Sequence, residues 1–146
     1  MEIDNILDVV TDTATVVFRN SYIRHGYAPT GAAYRSIQRN RHKVQISIAV
    51  ATLIWGRRPG RFPPWGYQHG SQNRSSLMQW AMDKFQVDEK SAKSISYLIA
   101  RKLKTYGNDV YRGLKAPIEI IPAQEAAVEQ FNQLIKLNYY ELINKK

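Results

Sequence analysis

Apolar residues recur at intervals of three and four residues near the start of the chain, which is the spacing of one helix face. The pattern predicts an amphipathic helix over residues 2–24 that ends near Gly26. Acidic side chains lie in its first half, and Arg19 and Arg24 lie near its end, as the helix dipole favours. This is the first of several long helices that the pattern predicts.

The pattern then shortens and changes its period. A short helix is expected over residues 32–38, with Thr30 as its N-cap. Over residues 43–50, apolar residues alternate with polar or small ones, which predicts a half-buried strand. Residues 51–54 either continue this strand or turn back as a hairpin.

Helical spacing returns in the second half of the chain. Ser75 or Ser76 is expected to cap one helix, and Asp88 to cap another that stops at Gly107. The apolar stripes of these two helices are Leu77, Trp80, Ala81 and Phe85, followed by Ala92, Ile95, Leu98, Ile99 and Leu103. A short strand is predicted over residues 118–121 and a last helix over residues 123–143. The fold class is therefore α+β, a small antiparallel sheet packed with long amphipathic helices in a single domain of residues 1–146.

The segment between the predicted strand and the next helix has an unusual composition. Residues 55–66, within a long loop over residues 55–74, contain three arginines, three prolines, three glycines and three aromatic residues. Proline is excluded from helix interiors and central strands, so an exposed, shaped loop is expected. Tryptophan and arginine dominate protein interfaces, which makes this loop a candidate partner contact. The candidate contact residues are Trp55, Arg57, Arg58, Arg61, Phe62 and Trp65.

The net charge of +9 is unevenly distributed. Residues 1–12 contain four acidic side chains and no basic one, whereas residues 13–82 contain ten basic side chains, nine of them arginine, and no acidic one. Such a block attracts phosphates or an acidic protein surface. From this distribution we select Asp4, Asp8 and Asp12 as candidate subunit contacts, and Arg35, Arg39, Arg41 and Lys43 as candidate nucleic-acid contacts.

The residues that catalysis or metal binding would need are scarce. There is no cysteine, and His25, His42 and His69 stand far apart with no carboxylate near them in sequence. No nucleophile elbow, phosphate-binding loop or dinucleotide fingerprint is present. The acidic start does not resemble a secretory signal, and no apolar run is long enough to span a membrane. We therefore expect no enzyme activity, no cofactor, no metal and no membrane partner.

The order of the motifs resembles one family. TGAAYRSI at residues 30–37 precedes the predicted strand, GRRPGRFPP follows at residues 56–64, and LMQW lies at residues 77–80. Over about residues 5–105 this is similar to the tail-completion or head–tail joining (neck) proteins of tailed bacteriophages. The resemblance implies a virion structural protein without catalysis, made in the host bacterial cytoplasm. It further implies a homo-oligomeric ring, with six or twelve copies left open, that contacts the portal and other neck and tail proteins.

Two roles remain open for the basic residues. In a ring, the acidic face of the first helix would meet the arginines of residues 57–61, or another arginine cluster, on an adjacent subunit. Alternatively, some arginines would touch packaged DNA without reading bases. The alternative function is a non-catalytic nucleic-acid-binding protein. In that case the bases of a bound strand stack on aromatic side chains above a positively charged groove in the middle segment. The rings in question are Tyr22, Tyr27, Tyr34, Phe62, Trp65 and Tyr67.

Overall fold

A computed structural model of the chain describes residues 1–66 and 74–145. These residues form six helices and one two-stranded antiparallel sheet, which confirms the α+β fold class. The chain divides into two compact units. The terminal unit comprises Met1–Ser47 and Ile118–Lys146, and the middle unit comprises Ile48–Pro117.

Two long helices form the main part of the terminal unit. Helix α1, Ile3–Arg24, packs against the last helix, α6, Ile121–Asn144. The terminal amine of Met1 donates to the side-chain oxygen of Asn138 at 3.2 Å, so the start of α1 lies beside the end of α6 and the two helices run antiparallel. The predicted helices over residues 2–24 and 123–143 are thus confirmed.

The buried face of α1 includes hydroxyl groups among its apolar side chains. Thr11 and Thr15 are buried, and each hydroxyl donates to the backbone carbonyl four residues earlier at 2.7 Å. These bonds allow both side chains to be buried without an unpaired donor. The other buried residues on this helix are Ile6, Phe18, Ser21 and Tyr22.

A short helix and a hairpin complete the first segment of the terminal unit. Helix α2 is Gly31–Ser36, and Thr30 occupies its N-cap position without a side-chain hydrogen bond. Strands β1, Gln38–Asn40, and β2, Lys43–Gln45, pair in antiparallel register, with Arg39 opposite Val44. The helix prediction is confirmed with a shorter end, because the chain turns into β1 at Gln38.

The predicted strand over residues 43–50 is wrong beyond Gln45. Ile48–Trp55 forms a helix, α3, in which Val50 and Ile54, one turn apart, are buried. Because a short run that is almost entirely apolar fits a buried helix as well as a strand, its period does not distinguish them. The second predicted strand, over residues 118–121, is also wrong: Ile121 begins α6, and the missing N–H of Pro122 is harmless in a first turn.

The remaining two helices lie in the middle unit and pack against each other. Helix α4, Ser76–Phe85, is capped by the Ser75 hydroxyl, which accepts from the Met78 N–H at 3.1 Å. Helix α5, Glu89–Tyr106, is capped by Asp88 and ends at Gly107.

The predicted boundaries of α4 and α5 are confirmed, but the predicted apolar faces of these helices are partly wrong. Trp80, Phe85 and Leu98 are exposed, and the buried residues are Leu77, Met78 and Ala81 on α4 with Ala92, Ser96 and Ala100 on α5.

Candidate functional site: the arginine loop

The loop over residues 56–66 is irregular, as its prolines and glycines predict. We call it the arginine loop. Its start is fixed by Asn108, whose side-chain oxygen accepts from the backbone N–H of Arg57 and from that of Tyr111, both at 2.9 Å. The side-chain amide of Asn108 donates to the carbonyl of Thr52 at 2.7 Å. One side chain thus ties α3, the loop and the turn after α5 together.

Two glycines allow the close packing at this junction. Gly107 has φ +75° and ψ −175°, a conformation essentially restricted to glycine. A Cβ atom there would lie 2.4 Å from the carbonyl oxygen of Arg57. Gly56 has φ +79°, and a Cβ atom there would lie 3.0 Å from Cα of Tyr111. Farther along the loop, the N–H of Gly60 donates to the carbonyl of Lys104 at 2.7 Å, which holds the loop on the end of α5.

The three arginines of the loop differ in their surroundings. The Arg57 guanidinium donates to the carbonyl of Arg61 at 2.7 Å and lies over the Trp65 ring at 5.1 Å, so Arg57 and Trp65 help to shape the loop. The side chains of Arg58 and Arg61 are exposed, and within the described residues they make no hydrogen bond or ion pair. Of the predicted contact residues, Arg58 and Arg61 are therefore available to a partner, whereas Arg57 is already engaged.

Aromatic groups lie beside these cations. Trp55, at the end of α3, is 68% exposed. Phe62 lies 6.4 Å from Tyr97 of α5, between ring centroids, and the Lys104 ammonium lies 4.9 Å from the centre of the Phe62 ring. Phe62 of the arginine loop therefore lies against an aromatic and a basic side chain of α5.

The acidic residues of α1 have a partner within the terminal unit. The Arg39 guanidinium contacts the carboxylates of Asp8 and Asp12, the latter at 2.8 Å. His42 Nε2 lies 3.6 Å from the nearer oxygen of Asp8 and 3.8 Å from that of Asp4. The hairpin thus places Arg39 and His42 against carboxylates that are distant in sequence. Arg39, predicted to contact nucleic acid, binds Asp8 and Asp12, which are predicted to contact another subunit.

The other predicted nucleic-acid contacts, Arg35, Arg41 and Lys43, are exposed on α2 and the hairpin. The tyrosines of the same region form a packed cluster. The Tyr22 ring stacks on that of Tyr27 with centroids 5.0 Å apart, and burial, with a smaller contribution from Tyr27, raises the pKa of the Tyr22 phenol. The guanidinium of Arg19 covers Tyr34 at 5.6 Å. This cluster is unlike an open platform for base stacking. Tyr67 and His69 lie outside the described residues.

The two units differ in net charge, a difference that the acidic and basic blocks of the sequence do not show. The middle unit contains twelve basic and four acidic side chains, a net charge of +8. The terminal unit contains nine basic and eight acidic side chains, a net charge of +1. The positive field therefore belongs mainly to the unit that carries the arginine loop.

Sequence reasoning missed two contributors to this surface. Asn108 was overlooked because one asparagine after a helix stop resembles any turn residue. The basic residues of α5 do not stand out by charge alone, because residues 83–146 as a block contain eleven basic and eight acidic side chains. Their signal is the spacing of positive charges along one helix face, which is visible once the helix bounds are known.

Residues 1–66 and 74–145 contain no group of three or more histidine, aspartate or glutamate side chains arranged to hold a metal ion. Over the same ranges, no helix combines the length and apolar composition that a membrane span needs. Comparison of the chain with protein-family models, curated proteins and solved structures returns no significant match. The resemblance to phage neck proteins therefore stays a prediction based on motifs.

Proposed function

We propose that the chain is a structural protein of a tailed-phage virion, a subunit of a homo-oligomeric neck ring between portal and tail. The observation that carries this proposal is the arginine loop. Its motif residues are held in one conformation by Asn108 and by the end of α5, while Arg58 and Arg61 remain exposed. A preorganised loop loses little entropy when it contacts a neighbour, which favours stable assembly.

The charges support contacts between unlike surfaces. A ring requires that one patch of a subunit meet a different patch on the next copy. The arginine loop supplies the basic patch. Among the acids of α1, Asp4 has the most exposed side chain (76%), since Asp8 and Asp12 both bind Arg39. In this proposal, Arg58 and Arg61 contact Asp4 and nearby acidic groups of the adjacent copy.

Helix α6 offers a second assembly surface. Four exposed aliphatic side chains follow one another at seven-residue spacing: Ile121, Val128, Ile135 and Leu142. Residues seven apart lie within about 20° of each other around a helix, so the four form one row about 31 Å long. Because extended exposed apolar patches mark interaction sites, we assign the row to a contact with a neighbouring subunit.

Particle composition tests this function directly. Quantitative mass spectrometry of particles from the phage or induced prophage that encodes the chain would count its copies against the portal protein. A simple fixed ratio to the portal is expected for a ring subunit. Absence of the chain from mature particles would contradict the proposal.

Assembly of the isolated chain tests the contact residues. Light scattering after size-exclusion chromatography is expected to show a closed oligomer whose formation is lost when Arg58 and Arg61 are both changed to Glu. Lys102→Glu is the matched control, because Lys102 is also exposed on the middle unit but lies outside the loop. An oligomer that is unchanged in the double variant would exclude Arg58 and Arg61 from the contact.

A further inference from the structure

One face of α5 carries a row of positive charges interrupted by a single ring. The five residues are Lys90, Lys93, Tyr97, Arg101 and Lys104, and all are exposed. At about 100° per residue they fall within an arc of about 80°, and they extend over about 21 Å of helix. We call this face the α5 stripe.

The stripe is electrostatically unfavourable by itself. Lys90 and Lys93, and likewise Arg101 and Lys104, are like charges three residues apart on a helix, an arrangement that destabilises it. Within the described residues none of the four cations has an ion-pair partner, and nearby Glu89 pairs with Arg74 at 3.0 Å. An external polyanion would remove this repulsion.

The rings on the stripe indicate which polyanion. Tyr97 lies between the two pairs of cations and is 39% exposed, and Phe62 of the arginine loop, 36% exposed, lies beside it with 6.4 Å between centroids. An acidic protein surface would supply carboxylates for the cations but no flat bases to stack on the rings. A nucleic-acid strand supplies both phosphates for the cations and bases that stack on rings.

We propose that the α5 stripe binds a single strand of nucleic acid. Phosphates follow Lys90, Lys93, Arg101 and Lys104, and a base stacks on the exposed part of Tyr97. This surface differs from the one predicted over residues 35–43, where Arg39 already binds carboxylates. The inference does not depend on the chain's being a virion protein.

Binding is tested with the full chain and a fluorescein-labelled oligo-dT of about 20 nucleotides, by anisotropy across a series of salt concentrations. The wild type is expected to bind, with an affinity that falls steeply with salt. Lys93→Glu combined with Arg101→Glu is expected to weaken binding at least about tenfold, because it reverses two phosphate contacts. Lys102→Glu, on the same helix but at least about 100° from every stripe residue, is expected to change binding less than about twofold.

Two further variants separate phosphate contacts from stacking. Lys93→Gln is expected to reduce the slope of log K against log salt by about 0.7, since one phosphate contact is lost. Tyr97→Leu is expected to weaken binding about fivefold to tenfold with the slope unchanged, because stacking releases no counterion. Circular dichroism checks that each variant is folded.

The outcomes are distinct. Absence of oligo-dT binding, or a loss of affinity on Lys102→Glu as large as that of the double variant with Lys93→Glu and Arg101→Glu, would show a solvated face and overturn the inference. If heparin, a polyanion without bases, competes fully and Tyr97→Leu has no effect, the stripe recognises negative charge alone and the nucleic-acid assignment is wrong. Weak binding of duplex DNA beside tight binding of oligo-dT would support a single strand, and the reverse preference would overturn it.

Discussion

The backbone N–H of Arg57 donates to the side chain of Asn108 at 2.9 Å, and the backbone N–H of Asn108 donates to the carbonyl of Arg57 at 3.0 Å. This reciprocal pair joins residues 51 positions apart in the chain. It fixes the start of the arginine loop against the end of α5, so the conformation of the loop depends on a residue outside it.

Replacement of Asn108 by Ala is expected to lower the free energy of unfolding by about 2–3 kcal/mol, because partly buried groups of Thr52 and Arg57 and the exposed N–H of Tyr111 lose their hydrogen-bond partner. Urea denaturation measures this change. Asn108→Asp retains both acceptor contacts but sets a carboxylate oxygen against the Thr52 carbonyl oxygen in place of the donor, so this variant is also expected to be destabilised. An Asn108→Ala protein as stable as the wild type would show that water replaces these bonds.

Gly107→Ala is expected to destabilise the protein more than Gly113→Ala does. Both glycines have positive φ, +75° and +70°, but only at Gly107 would the new methyl group meet the backbone, 2.4 Å from the carbonyl oxygen of Arg57. Backbone strain alone costs about 1–2 kcal/mol, which is the loss expected for Gly113→Ala. Thermal denaturation of both variants provides the comparison, and equal losses would mean that the loop moves away without cost.

The interaction of Arg39 with Asp12 is expected to contribute little to stability. Their side chains are 35% and 60% exposed, and ion pairs at such positions contribute about 0.2–1 kcal/mol. A double-mutant cycle with Arg39→Gln and Asp12→Asn measures the coupling, which is expected to vanish in about 1 M salt through screening. A coupling energy that is large and insensitive to salt would instead indicate a specific structural role for this pair.

Asp88 is expected to contribute to the acid sensitivity of the fold. Hydrogen bonds from Ser91, first from its side chain and then from its backbone, lower the pKa of the Asp88 carboxyl. A lowered pKa means that the contribution is present above the ordinary aspartate pKa and is lost as pH falls through the lowered value. The Tm difference between wild type and Asp88→Asn is therefore expected to shrink between neutral pH and about pH 2. A difference that is constant with pH would contradict this assignment.

Helix ends were predictable where they depend on residues that are adjacent in the sequence. The N-caps at Ser75 and Asp88 and the stop at Gly107 were predictable because each satisfies backbone groups within the same turn. The helix over Ile48–Trp55 was not predictable, because an apolar octapeptide satisfies its backbone equally well in a buried strand. The arginine loop was identifiable as a candidate surface from its composition, but the selection of Arg58 and Arg61 over Arg57 required the contacts of each guanidinium.

By itself, the sequence determined the α+β class, the long amphipathic helices and their caps, because periodicity and capping are interactions between residues close in the chain. Tertiary structure decided which charges remain available, because that depends on neighbours distant in the chain. Arg39 lies against Asp8 and Asp12 once the hairpin meets α1, and Asn108 fixes Arg57 once α5 ends beside the loop. The row of basic residues on α5 follows from the helix bounds that the sequence already predicted, whereas the position of Phe62 beside Tyr97 depends on how the arginine loop packs.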